Sequence, residues 1–186
     1  MMDLRLQEAM ANFDEHWNVG FLHARDIFAP VHFVLFAAFT NEDNTPGANG
    51  IVSNHWCLYL VTGSHSSIRL DMAPGPGKLA GVLEASSEPQ RLVADEAIHV
   101  VSAEVQAGLT FSDFVDLVVA GGRHRYTFTD AAEGCRYWTT VVAQDLEDAC
   151  YVPQGSAKNV LDAVSMYWAH PSGSTPLAIT QGTFEE

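Results

Sequence analysis

The chain has 186 residues, 47% of them hydrophobic and 17% charged, which excludes a disordered chain and leaves length for one domain with a real core. Nine Lys and Arg stand against 23 Asp and Glu, a formal charge of −14. So acidic a surface repels phosphate backbones and anionic membranes, which argues against a nucleic-acid partner.

The opening MMDLRLQEAMANFDEHW carries acids and no apolar h-region, so it does not read as a signal peptide. Leu4, Leu6, Met10, Phe13 and Trp17 recur at helical spacing and predict a helix over 3–17, inside an N-terminal helical segment spanning 1–28. The most apolar stretch, FAPVHFVLFAAF (28–39), is too short to span a bilayer and holds His32, so no membrane anchor is expected and the chain reads as cytoplasmic. Residues 30–40 predict a buried strand, and NEDNTPGANG (41–50) a polar loop. SNHWCLYLVTG (53–63) and SSIRLDM (66–72) read as strands, the second alternating cleanly. The short TGSH link between them predicts an antiparallel hairpin. APGPG (73–77) stops that strand, and 78–86 and 96–105 are further strand candidates.

The pattern then turns helical. Thr110, with Asp113 three residues later and glycines past the end, predicts a helix over 110–122. A strand follows at 125–129. CRYWTTVVAQDLEDAC (135–150) sets Trp138, Val141, Val142, Leu146 and Ala149 on one stripe. A further helix is predicted over 156–170 with Ser156 as N-cap, before a tail at 171–186 that reads as loose with at most one late edge strand. The class is α+β: an antiparallel sheet with packed helices, in a single domain over 1–186.

Three cysteines, Cys57, Cys135 and Cys150, make an odd number without a secretory signal, so no disulfide framework is expected; no CxxC pair suggests a zinc–thiolate site. His32, His55 and His99 could be imagined as metal ligands on a cupin-like barrel, but no HxH or HExxH spacing supports this, and neither metal nor cofactor is expected. Cys135 follows Gly134 at the start of a predicted helix, where free N–H groups and the macrodipole favour a thiolate. Arg136 adds a positive charge, whereas a lone cysteine of this kind is more often a small buried hydrophobe. A nucleophilic cysteine needs a base and a group to orient it. His55, early in its strand, supplies the base, and Asp71, sixteen residues on, falls near it across the hairpin.

NHWCLYLVTGSHSSIRLDMAPG resembles the His-containing hairpin of the permuted papain-like group, the NlpC-related lecithin retinol acyltransferase family. YTFTDAAEGCRYWTTVVAQDLED resembles that family's later strand and cysteine-bearing helix start. The resemblance implies a permuted papain-like fold, with Cys135 as nucleophile, His55 as base and Asp71 as orienting residue. Asp71 stands where that family usually has a second His, and Gly134 where it has an Asn. The whole string also resembles small uncharacterised fungal proteins, a likeness that carries no activity.

The function expected is a cysteine-dependent hydrolase or acyltransferase acting on an acyl, amide or thioester bond of a small-molecule or peptide substrate. Trp56, Tyr59, Arg69, Arg136, Tyr137 and Trp138 would line its substrate pocket. Two rivals remain open: a non-catalytic small-ligand or protein-interaction module on the same scaffold, and an isomerase or cyclase using His55 and Asp71 as acid and base. The oligomeric state is not readable from the sequence.

Overall fold

A six-stranded sheet carries the fold. In chain order its strands are β1 (Trp17–Phe21), β2 (Phe33–Phe39), β3 (His55–Gly63), β4 (Ser66–Pro74), β5 (Gly81–Glu88) and β6 (His99–Glu104), arranged β1-β5-β4-β3-β2-β6. Only β1 with β5 is parallel; every other neighbouring pair is antiparallel. The computed structural model describes residues 4–41, 52–77 and 79–185. The described helices are α1 (Leu4–Met10), α2 (Phe111–Ala120), α3 (Cys135–Asp148) and α4 (Ser156–Val164). Short strands β7 (Tyr126–Thr127), β8 (Met166–Trp168), β9 (Ser174–Pro176) and β10 (Thr183–Phe184) form two further pairs, β7 with β10 and β8 with β9. The fold is α+β with a mostly antiparallel sheet. No described helix is long and apolar enough to cross a membrane.

Alternation in β3 and β4 sorts their side chains onto two faces. Trp56, Leu58 and Leu60 join Ile68, Leu70 and Met72 in the main core, under Trp138, Val142 and Leu146 of α3. Fully burying a side chain of that kind stabilises by about 1.5–3 kcal/mol, so this face holds α3 in place. The opposite face carries Cys57 and Tyr59 beside Ala37, a smaller cluster covered by Val93, Ala94 and Ala97. The expected hairpin is present, in a register that pairs Leu58 with Leu70 and Tyr59 with Arg69. Helix α2 starts with the predicted capping box: Asp113 accepts from the amide and hydroxyl of Thr110, each at 2.7 Å.

Several expectations are corrected. The N-terminal segment is not helical to Trp17. Helix α1 stops at Met10, Asp14 accepts from the His16 amide, and Trp17 opens β1 opposite Leu83. The helix expected over 156–170 ends at Val164. Trp168 instead lies in β8, opposite Ser174. Ser156 is not the N-cap of α4. Gly155 is, at a φ of 91°, and the Glu147 carboxylate of α3 accepts from the Ala157 amide at 2.7 Å. The strand at 125–129 shrinks to β7. Apart from Asn41, the polar loop at 41–50 lies outside the described residues, as does Lys78 at the start of the strand expected over 78–86.

Through residue 185 the tail is tied down at two short strands rather than at one edge strand. Strand β9 pairs with β8, and β10 pairs with β7. The Gly182 amide donates to the Tyr126 hydroxyl at 2.9 Å. Arg136, 5% exposed, donates to the carbonyls of Val164 at 3.0 Å, Leu177 at 3.1 Å and Ala178. A buried guanidinium thus ties the tail to the first turn of α3. Arg136→Met removes those donors and leaves the carbonyls short of partners. It is expected to cost about 2–3 kcal/mol in denaturant unfolding, with hydrogen exchange speeding up first over residues 174–184.

Candidate active site

His55 opens β3, and its Nε2 lies 2.6 Å from Asp71 Oδ1 on β4. The strand register explains the meeting. Continuing the ladder one step past Leu58 and Leu70 puts Cys57 level with Asp71, so His55 is the diagonal neighbour on the same face. Asp71 is buried, and its other oxygen, Oδ2, lies 3.0 Å from Arg69 Nη2. Arg69 also reaches Glu84 Oε2 on β5 at 3.5 Å.

Cys135 is the first residue of α3. Gly134 before it is the N-cap, at a φ of 150° and with no side-chain cap. A Cβ at Gly134 would come within 2.7 Å of the Tyr126 hydroxyl, which donates to the Gly134 carbonyl at 2.9 Å. Only glycine fits that turn and that contact together.

The sulfur meets β3 at an edge that β4 has left. Ala38, opposite Trp56, spends its carbonyl on the Ile98 amide of the β6 side. Trp56 therefore turns its own amide toward the β4 side, where the β3–β4 ladder does not extend beyond Leu58. Cys135 fills that space. Its Sγ lies 3.9 Å from the Asn54 carbonyl, and the Trp56 amide and the His55 ring both act on the thiol electrostatically. With Nε2 held by the carboxylate, Nδ1 is the ring nitrogen left for sulfur.

The charges support one another. Burial opposes a charged His55, but the charge and hydrogen bond of Asp71, then those of Cys135, hold the imidazolium well above its ordinary range. Burial likewise opposes ionised Asp71, yet His55 and then Arg69 keep its carboxyl below the usual value. For Cys135, burial pushes up, while the hydrogen bond and charge of His55 and the Trp56 amide bring the thiol below its ordinary value. Cys57 behaves oppositely: burial and then the Asp71 charge push its thiol well up. The arrangement is thus suited to a thiolate–imidazolium pair at Cys135 and His55.

The expected site residues divide. Cys135, His55 and Asp71 come together. Arg69 joins them, but through Asp71. Trp56, Tyr59 and Trp138 are fully buried, so their expected place in a substrate pocket is corrected to packing; the Trp138 indole donates to the Arg123 carbonyl at 2.7 Å. Arg136 is corrected in the same way, since it faces the tail. Tyr137 is partly buried against Phe184, with ring centroids 6.0 Å apart. Cys135 is 8% exposed and the His55 side chain 26% exposed, so the ring is the more open of the two. Cavities of about 700, 450 and 320 Å³ lie elsewhere, and neither His55 nor Cys135 lines them. Among the described residues, no group of three His, Cys, Asp or Glu side chains converges as a metal site.

Asn54 went unnoticed in the sequence. Its buried side chain donates to the Trp168 carbonyl at 2.9 Å and accepts from the Trp168 amide at 2.7 Å, an amide standing in for a strand partner. That bond joins the C-terminal hairpin to the start of β3 and holds Trp168 stacked on His99, centroids 3.5 Å apart. A buried polar residue directly before the candidate base in SNHW was the available signal.

The model of a domain of unknown function (DUF7770) matches residues 34–185, which includes β2 from Val34 onward, β3 to β10 and every residue of the site. The chain belongs to the DUF7770 family. No curated protein and no solved structure matches it. Within this DUF7770 chain, the first strand and the first helix precede the matched region.

The Asp71–His55 pair has a pH signature. His55 is raised when folded, so its contribution is full below about 6.5 and fades as pH rises through the folded value. Asp71 is lowered when folded, so its contribution is full above about 3.9 and fades as pH falls through the folded value. The stability gap between wild type and Asp71→Asn should therefore be widest between those limits. Urea unfolding at a series of pH values checks this; a gap that does not vary with pH removes the ion pair.

Proposed function

We propose that this DUF7770 chain is a cysteine-dependent hydrolase or acyltransferase of permuted papain-like design. The observation that carries the reading is the His55 ring, bonded to buried Asp71 on one side and within reach of the Cys135 thiol at a helix start on the other. A free thiol in the core has no need of a base whose own partner is a buried carboxylate.

The chemistry follows from the roles. The Cys135 thiolate attacks an acyl carbon and forms a thioester, as the leaving amine or alcohol departs with a proton from His55. His55, then neutral, takes a proton from water or another nucleophile as it attacks the thioester. The carbon–sulfur bond breaks, and the thiolate and imidazolium are restored. Asp71 fixes the ring tautomer and stabilises its charged form. Gly134 offers no side-chain cap, so in this reading the amides of Cys135 and Arg136 in the first turn of α3 stabilise the oxyanion.

The low exposure of Cys135 is what favours the rival, a non-catalytic ligand or interaction module. One experiment separates the two. The protein carries Cys150→Ser, because Cys150 is exposed and would react on its own account. It is incubated with p-nitrophenyl acetate and its peptides are mapped. An acetyl group on Cys135 that turns over, with hydrolysis lowered by about 10³-fold or more in Cys135→Ser and comparably in His55→Ala, fits the enzyme. A protein acetylated nowhere, or hydrolysing equally well without Cys135, leaves the binding module.

A further inference from the structure

We infer that Arg69 is a positioning residue of this site, clamping one oxygen of Asp71 so that the other is presented to His55. The inference rests on the thiol reading of Cys135, His55 and Asp71 given above.

Arg69 and Asp71 lie two residues apart on β4, with side chains on one face. Nη2 of Arg69 is 3.0 Å from Oδ2, and Nε2 of His55 is 2.6 Å from Oδ1. Each carboxylate oxygen thus has its own cationic partner, and the group cannot turn about its Cβ–Cγ bond without losing one. The guanidinium is itself steadied by Glu84 on β5, which stands level with Asp71 in the ladder. Arg69 Nε is buried with no hydrogen-bond partner among the described residues. The side chain therefore sits where the carboxylates need it, at the expense of its own hydrogen bonding.

The line of charge runs from Glu84 through Arg69 and Asp71 to His55 and Cys135. Without Arg69, Asp71 is a buried carboxylate with a single partner, and burial favours its protonated form. A protonated or rotated Asp71 no longer holds the imidazolium, and the thiolate loses its counter-ion. Other ionisable groups facing the site are Cys57 and Tyr59 on β3 and Tyr126 of β7, with Arg136 following Cys135 on α3 but turned toward the tail.

The test is the pH dependence of Cys135 alkylation by iodoacetamide, followed by peptide mapping in a Cys150→Ser background. Wild type should reach half its limiting rate below the ordinary thiol value of about 8.5. Arg69→Gln should raise that midpoint by about one pH unit, a roughly tenfold slower reaction on the acid side, and leave the high-pH limiting rate unchanged. Arg69→Lys keeps a charge without the planar fork and should fall between the two. In an Asp71→Asn background, Arg69→Gln should add nothing, because the residue acts through Asp71. An unmoved midpoint in Arg69→Gln, or a lowered limiting rate with the midpoint unmoved, overturns the clamp. Should Arg69→Gln fail to fold, Arg69→Lys decides, and a midpoint equal to the wild type's overturns it. An ordinary midpoint in the wild type is a different failure, and sinks the thiol reading itself.

Discussion

A carboxylate buried against a sheet does not stay ionised without partners, and Asp71 has two: the His55 ring at 2.6 Å and the Arg69 guanidinium at 3.0 Å. Everything else at the site is arranged around that requirement. Both partners come from the hairpin, one from the facing strand and one from its own, so the pairing register of β3 and β4 decides whether the carboxylate is satisfied. A slip of one residue would turn Asp71 toward α3 and leave a charge in the apolar core. The alternation of apolar residues that buries Trp56, Leu58 and Leu60 under α3 is the same alternation that keeps His55 and Asp71 together on the other side. Packing and electrostatics therefore select one register.

Cys135 enters this arrangement from a different layer. Helix α3 is held by its apolar stripe, and its first residue is aimed by Gly134 and the Tyr126 hydroxyl rather than by a side-chain cap. The early departure of β4 from β3 opens the strand edge at Asn54 and Trp56, and the sulfur fills the space that a ladder partner would otherwise occupy. Sulfur, ring and carboxylate thus belong to three elements, and no two of them are close in sequence.

Basic residues are scarce in this chain, nine against 23 acids, and several are committed to internal structure. Arg69 holds Asp71, and Arg136 gathers three carbonyls. Arg123 makes a two-pronged contact with Asp145 of α3, at 2.6 and 3.1 Å. The planar guanidinium suits these tasks because it satisfies several acceptors at once from one fixed plane. Two of the three act on α3 and one on the hairpin, so the scarce cations fasten the elements that meet at the site.

Local patterns were legible in the sequence. The β3–β4 hairpin, the capping box at Thr110 and Asp113, and the stripe of α3 all depend on residues within a few positions of one another. The choice of Cys135, His55 and Asp71 drew on such patterns, a helix start and two places sixteen residues apart across one hairpin. What the sequence could not show was set by distant partners. Trp17 and Trp168 carry helical spacing, but each lies in a strand: Trp17 because remote Leu83 offers it a ladder, Trp168 because it pairs with nearby Ser174 and is bonded by the remote Asn54 side chain. A first-turn amide of α4, behind its Gly155 N-cap, is satisfied by the Glu147 carboxylate of another helix, and the tail is anchored by Arg136, which in sequence looked like a charge beside a nucleophile. A one-dimensional pattern records which residues want burial and which local turns are allowed. Which buried polar group finds which partner is decided only when the layers pack, because a hydrogen bond depends on distance in space and not along the chain.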